Sequence, residues 1–236
     1  MNKIISYITA GEPSGEITRE VIENLAMESD FVMVGLPFSD PVADGPVVEK
    51  SFMSALEAGV TTDCVFSMIK GVSENKVVLT TYANPVFAYG YNRFFSQCKA
   101  CGVFGVLIHD IPYEEYGEIK EYADKYEIHL ITAIMPTSSE RLELLCSSAS
   151  GFIYLVAAMN ENGDIDTFSI NMLDKISKLT NVPVYIGGFF KTKEQESKVR
   201  NIGSGVVLGD ALVKIIVEHG EKSIPILKNY LQKVSE

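Results

Sequence analysis

Apolar residues along this chain fall into two alternating textures. Short runs rich in Ile, Val, Leu and Tyr recur through the sequence: "KIISYIT" (3–9), "DFVMVG" (30–35), "KVVLTTY" (76–82), "FGVLIHD" (104–110), "IHLITAI" (128–134), "GFIYLVA" (151–157), "VPVYIGG" (182–188) and "GVVLGD" (205–210). Most are continuous rather than alternating, which marks strands covered on both faces. Between them lie segments of helical period. In "SGEITREVIENLAME", Ile17, Val21, Ile22 and Leu25 share one face behind a cap candidate, Ser14. "YEEYGEIKEYADKY", "SSERLELLCSS", "TFSINMLDKISKL" and "TKEQESKVRNI" repeat the pattern. Several carry acids early and bases late, as the helix dipole favours. Two helices, in "VVEKSFMSALEAG" and "TTDCVFSMIKGV", are predicted before the third strand.

Eight strands alternating with helices predict a (β/α)8 barrel of the TIM type, one domain over residues 1–236. The competitor is a doubly wound open sheet. It calls for a first turn of GxGxxG spacing, which "TAGEPSGE" lacks. No linker, low-complexity tract or repeat interrupts the rhythm. In a barrel, chemistry sits at the C-terminal ends of the strands. That places 9–12, 35–44, 82–84, 110, 133–136, 156–164, 187–190 and 209–210 at the mouth.

Composition narrows the partners. The 236 residues fit one barrel, and 47% hydrophobic and 22% charged residues are ordinary for a globular chain. A formal charge of −11 argues against a nucleic-acid surface, which needs Lys and Arg. A small anion remains compatible, because backbone N–H groups can hold phosphate. "MNKIISYITAGEP" does not read as a signal peptide, and no apolar stretch reaches the ~18 residues of a membrane span. A cytoplasmic protein without membrane contact is expected. Cys98 and Cys101 form a CxxC with no second pair, at what reads as a helix end. Two half-buried thiols one turn apart are expected there, with no metal site.

The stretch "VMVGLPFSDPVADGP" (32–46) runs from a strand into a loop holding two aspartates. A carboxylate at a barrel mouth can bind a substrate N–H or act as acid or base. Asp40, in "PFSDP", also fits a turn before proline, and Asp44, in "ADGP", fits a turn as well as it fits a site. Asp110 ends the fourth strand, placed to orient a loop or complete the site. His109, His129 and His219 are scattered and form no metal or catalytic pattern. Gly187, Gly188 and Gly209 end the last two strands, where barrels bind phosphate; they also read as plain tight turns. Asp210 conflicts with that site. It is a good helix N-cap in isolation, but a negative charge where a dianion docks.

These motifs together resemble the tryptophan synthase alpha chain family. The likeness runs from "ISYITAGEP" through "VGLPFSDPVADGP", "TYANPVFAYG", "GVLIHDIPYEE" and "GFIYLV" to "GVVLGDALVKII", almost the whole chain. The resemblance implies a (β/α)8 barrel that cleaves indole-3-glycerol phosphate to indole and glyceraldehyde 3-phosphate. It implies no cofactor on this chain, and a beta-subunit partner that carries pyridoxal phosphate. By the same resemblance, Asp44 is the carboxylate that hydrogen-bonds the indole N–H, and Tyr154 helps organise the site. Tyr7, Thr80 and Tyr82 line the indole pocket. Gly163, Phe189, Gly209 and Asp210 fall at the phosphate, and Pro37, Asp40 and Asn84 lie in loops facing the beta subunit.

Four positions depart from the family pattern. Met33 stands where the family has the glutamate that shuttles protons. Asn162, in "NENG", stands for the Thr of a mobile Gly-Val-Thr-Gly loop. Asp210 replaces a Ser, and Gly187-Gly188-Phe189 replaces Gly-Phe-Gly. Losing a general acid/base costs typically ~10²–10⁴-fold. The expectation is an alpha chain whose cleavage activity is weak or absent at Met33. Two alternatives stand beside it. Another residue serves as the acid/base, Glu49 being the nearest spare acid though it should point away from the barrel axis. Or the chain is a non-catalytic partner that binds and activates a beta subunit.

Overall fold

The computed structural model describes residues 3–72, 75–160, 164–188, 190 and 192–235. Its strands are β1 (Ile4–Thr9), β2 (Phe31–Gly35), β3 (Val77–Thr81), β4 (Val103–Ile108), β5 (His129–Leu130), β6 (Thr132–Ile134), β7 (Ile153–Val156), β8 (Val184–Gly187) and β9 (Gly205–Leu208). They form one sheet in the order β5-β4-β3-β2-β1-β9-β8-β7-β6, and every pairing is parallel. This is the nearly closed wall of a TIM barrel.

The predicted fifth strand, 128–134, is divided. Its first half, β5, pairs with β4, and its second half, β6, pairs with β7. Ile131 between them still donates its N–H to Val106 O at 2.9 Å. One strand therefore hands over from one neighbour to the other, so the two ends of the sheet are consecutive in sequence. The other strands are shorter than read. Lys3 has φ 59°, which starts β1 one residue late, and Asp210 belongs to a helix.

Parity along the strands sorts the core into two layers. Ile5, Tyr7, Met33, Val78, Leu107, Phe152, Tyr185 and Val207 point into the barrel. Their neighbours Ile4, Ile8, Val32, Val34, Leu79, Val106 and Val206 face the surrounding helices. Aromatic rings fill the amino-terminal end of the interior. Phe31 lies 4.5 Å from Phe104 and 5.3 Å from Phe152, and the Tyr185 hydroxyl donates to Asp30 Oδ2 at 2.8 Å. With that end plugged, open space is left at the carboxyl ends of the strands.

The helices begin as their caps dictate. Ser14 Oγ accepts from Ile17 N at 3.3 Å to start Gly15–Glu28. Asp166 accepts from Ser169 N at 2.8 Å to start Thr167–Leu179. Pro46 occupies the first turn of Pro46–Glu57, where its missing N–H leaves nothing unpaired. The helix after β9, Asp210–His219, is capped by Gly209 and not by Asp210, which sits one residue inside, and a final helix, Ser223–Ser235, follows it. Asn84 lies in the helix Ala83–Tyr89, not in a loop; Gly90, at φ 87°, turns the chain from it into Tyr91–Ala100. Cys98 and Cys101, at the end of that second helix, are free and fully buried rather than half-buried. Among the described residues no single helix is long and apolar enough to cross a membrane, and no cluster of His, Cys, Asp and Glu could hold a metal.

Candidate active site

A cavity of about 470 Å³ opens at the carboxyl ends of the strands. Tyr7, Met33, Asp44, Thr80, Tyr154, Gly209 and Asp210 all face it. The structure thus brings together residues spread over two hundred positions of sequence.

Two glycines seat the tyrosines. A Cβ on Gly35 would overlap the Tyr7 hydroxyl and meet Phe52 at 3.0 Å. A Cβ on Gly187 would overlap the Tyr154 ring. Each aromatic side chain leans over a strand end that has no side chain of its own. Among the described residues the buried Tyr7 hydroxyl has no partner in good hydrogen-bond geometry, although the hydroxyls of Thr80 and Thr9 lie near enough to act on its titration. Burial, and then the charge of Asp44, hold its pKa well above the usual phenol range. Tyr154 is pushed up to about 12, by burial first and then by the charges of Asp44 and Asp210.

Asp44 is positioned from behind. The turn Pro41–Asp44 closes with Asp44 N donating to Pro41 O at 3.1 Å. Tyr82 then donates its hydroxyl to Asp44 Oδ2 at 2.6 Å and accepts from Ala43 N at 3.0 Å. The Tyr82 ring is itself held between Phe38, at 5.2 Å, and His109, at 5.4 Å. Tyr82 is therefore not one of the residues facing the cavity; it lies behind Asp44 and aims it. Burial raises the pKa of Asp44, opposed by the Tyr82 hydrogen bond and by His109.

Met33 is 2% exposed and sits on β2 between Tyr7 of β1 and Val78 of β3. Its side chain lines the cavity, at the position where the sequence resemblance implies a carboxylate. Glu49 is exposed on the helix Pro46–Glu57 and does not line the cavity, so it does not substitute. Asp40 is exposed and accepts from Ser39 Oγ at 2.6 Å, as a turn residue would. Asp110 touches the cavity rim, and its Oδ1 accepts from Ala83 N at 2.7 Å, tying the loop after β4 to the start of the helix that follows β3, Ala83–Tyr89.

His109 was not singled out in sequence, yet it faces the cavity. Its ring nitrogens make no protein hydrogen bond among the described residues. Burial lowers its pKa, and the charges of Asp44 and Asp110 oppose that shift. Parity was the available signal: Leu107 points into the barrel, so the residue two further on points the same way.

At the far side, Gly209 and Asp210 face the cavity at the start of the helix Asp210–His219. Burial and the charge of Asp44 raise the pKa of Asp210; Lys214, one turn along, opposes this. Gly188 faces the cavity as well. Asn162, Gly163 and Phe189 lie outside the described residues.

Fold and cavity together define an all-parallel (β/α)8 barrel with a ligand site at its carboxyl mouth, built around a hydrogen-bonded aspartate. The family model for the tryptophan synthase alpha chain matches residues 1–236. The tryptophan synthase alpha chain of Lacticaseibacillus casei is 37% identical over 237 residues, covering 98% of this chain and 89% of that one. That of Methanosarcina barkeri is 37% identical over 220 residues, covering 91% and 84%. The structure of a tryptophan synthase complex from Pyrococcus furiosus superimposes with a TM-score of 0.90 at 31% identity, over 99% of this chain and 97% of that one. A second Pyrococcus furiosus structure, described as the mutually activating α2β2 complex, gives 0.89. The chain belongs to the tryptophan synthase alpha chain family. The family's reaction is the retro-aldol cleavage of indole-3-glycerol phosphate, a lyase activity of tryptophan biosynthesis, and its alpha chains need no cofactor.

Proposed function

We propose that this chain is the alpha subunit of a two-component tryptophan synthase, working in the cytoplasm beside a beta subunit that holds pyridoxal phosphate. Its mouth cavity takes indole-3-glycerol phosphate. Tyr7, Thr80 and Met33 surround the indole ring, and Asp44 accepts the indole N–H. The phosphate end lies toward Gly209 and Asp210. Asn162, Gly163 and Phe189 join this set by resemblance alone.

Cleavage requires a proton on indole C3 and removal of the proton from the adjacent side-chain hydroxyl. The carbon–carbon bond then breaks, its electron pair returns to the ring, and an aldehyde leaves. Asp44 stabilises the positive charge that C3 protonation puts on the ring nitrogen. The proton steps need a titratable group, and Met33 is not one. The reading is therefore an alpha chain whose cleavage step is slow. The observation that carries it is the pairing of an oriented Asp44 with a buried Met33 in one cavity.

The experiment is indole release from indole-3-glycerol phosphate, with and without a beta subunit, for the protein and for Met33→Glu. Turnover by the unmodified protein at the rate of the variant refutes the slow-step reading. A second reading, a non-catalytic activator of the beta subunit, is favoured by Met33 and Asp210 together. It expects no indole release but a beta reaction that speeds up when this chain is added.

A further inference from the structure

A second cavity, of about 360 Å³, lies outside the barrel wall. It is formed between the helices Pro46–Glu57 and Asp210–His219 and is floored by the loop after β1. That size is within the range of small-ligand pockets. Glu12 lines it and is 8% exposed, with its Oε2 buried and without a hydrogen-bond partner among the described residues. A buried carboxylate oxygen with no donor is an incomplete arrangement, since buried charge is ordinarily paired. Two exposed lysines, Lys50 and Lys214, line the same cavity, and neither ammonium forms an ion pair among the described residues. Glu218 adds a second carboxylate at the rim. The remaining surface includes Val47 and Val217, the latter 44% exposed although apolar.

We propose that this cavity is a binding site for a zwitterionic α-amino acid with an apolar side chain. The charges within it balance, two carboxylates against two ammonium groups, so a ligand of net charge fits less well than a neutral one bearing both signs. The Glu12 side chain turns its shielded Oε2 into the cavity on binding, and the ligand's ammonium group supplies the donor that oxygen lacks. Its carboxylate reaches the lysines, and its side chain covers Val47 and Val217. The site is separate from the mouth cavity and does not depend on the cleavage chemistry. It does touch both helices that begin at the mouth, one just after Asp44 and one at Asp210.

The test is calorimetric titration of the full-length protein with L-leucine and L-phenylalanine. 3-Methylbutylamine and 4-methylpentanoate serve as leucine analogues that keep one charge each. At least one of the two amino acids is expected to saturate a single site, with both analogues about tenfold weaker or more, the loss of one charge-assisted hydrogen bond. Glu12→Gln is expected to weaken the amino acid by a similar factor. Lys50→Met, on an exposed side chain that leaves the fold intact, carries the same expectation if Glu12→Gln does not fold. Asp44→Asn, at the mouth, leaves this affinity unchanged. Absence of saturable binding by either amino acid overturns the proposal. So does binding that survives both Glu12→Gln and Lys50→Met.

Discussion

Met33→Glu puts a carboxyl group where the structure holds a thioether. The two side chains match in length, so little repacking is needed. The site is 2% exposed, and one buried hydroxyl, that of Tyr7 on the neighbouring strand, makes no well-formed hydrogen bond among the described residues. One hydrogen bond does not replace the hydration of a carboxylate, so burial is expected to cost about 1–3 kcal/mol at neutral pH. For a chain of this size that corresponds to roughly 2–12 °C in Tm. The cost has a sign in pH. Desolvation and the nearby Asp44 raise the folded pKa of the new carboxyl above its unfolded value of ~4.3. The penalty is absent below that value and grows as pH rises toward the folded pKa. The variant should match the parent in Tm near pH 4 and fall below it at pH 8.

Its rate should move the other way. A positioned general acid/base is worth about 10²–10⁴-fold, or roughly 3–5 kcal/mol of barrier. Indole release from indole-3-glycerol phosphate, followed spectrophotometrically at saturating substrate, reads this directly. A folded Met33→Glu protein that turns over no faster than the parent refutes the argument. The parent with His109→Asn sharpens the result. If the parent is already fast and this change silences it, His109 is the group that moves the proton.

Other expectations follow from the same geometry. Asp44→Asn keeps the shape and one acceptor for Tyr82 but removes the charge; kcat/KM is expected to fall by about 10–150-fold with an unchanged circular dichroism spectrum. Asp210→Ser removes a carboxylate from the proposed phosphate end of the cavity, so inorganic phosphate, followed by calorimetry, should bind about 10–100-fold more tightly. Because burial raises the Asp210 pKa, the folded state holds that proton more tightly than the unfolded chain does. Stability is then lost as pH rises above the unfolded value of ~3.9, and Asp210→Ser should show a Tm advantage at pH 8 that disappears near pH 3. Gly187→Ala drives a methyl group into the Tyr154 ring, which should cost about 1–3 kcal/mol in chemical denaturation and displace Tyr154 from the mouth.

Much of the architecture was legible because parallel strands buried on both faces write themselves as continuous apolar runs. "KIISYIT", "KVVLTTY" and "GVVLGD" all became strands at or within a few residues of where the pattern put them. What the pattern did not carry was the division at Ile131. Apolarity is the same on both sides of that residue, and only the choice of hydrogen-bond partner changes there. The helix Ala83–Tyr89 was hidden for a related reason. The resemblance put Asn84 in a loop, yet the Pro85 that follows it is tolerated in a first helical turn, where no N–H is needed.

At the mouth, the sequence was informative about identity and weaker about direction. Tyr7, Met33 and Thr80, which only the family resemblance put at the site, line one cavity with Asp44, whereas Tyr82 stands behind Asp44. Turning outward or inward is a matter of strand parity and of what fills the space. Tyr7 and Tyr154 turn over Gly35 and Gly187 because nothing projects from those glycines. His109 follows the same rule. Counting by two from Leu107 places in this cavity an imidazole whose nitrogens make no hydrogen bond among the described residues, where the carboxylate expected from the resemblance is missing. The catalytic question therefore concerns two positions rather than one: a buried Met33 that has no proton to move, and a His109 that has one and shares the cavity with Asp44.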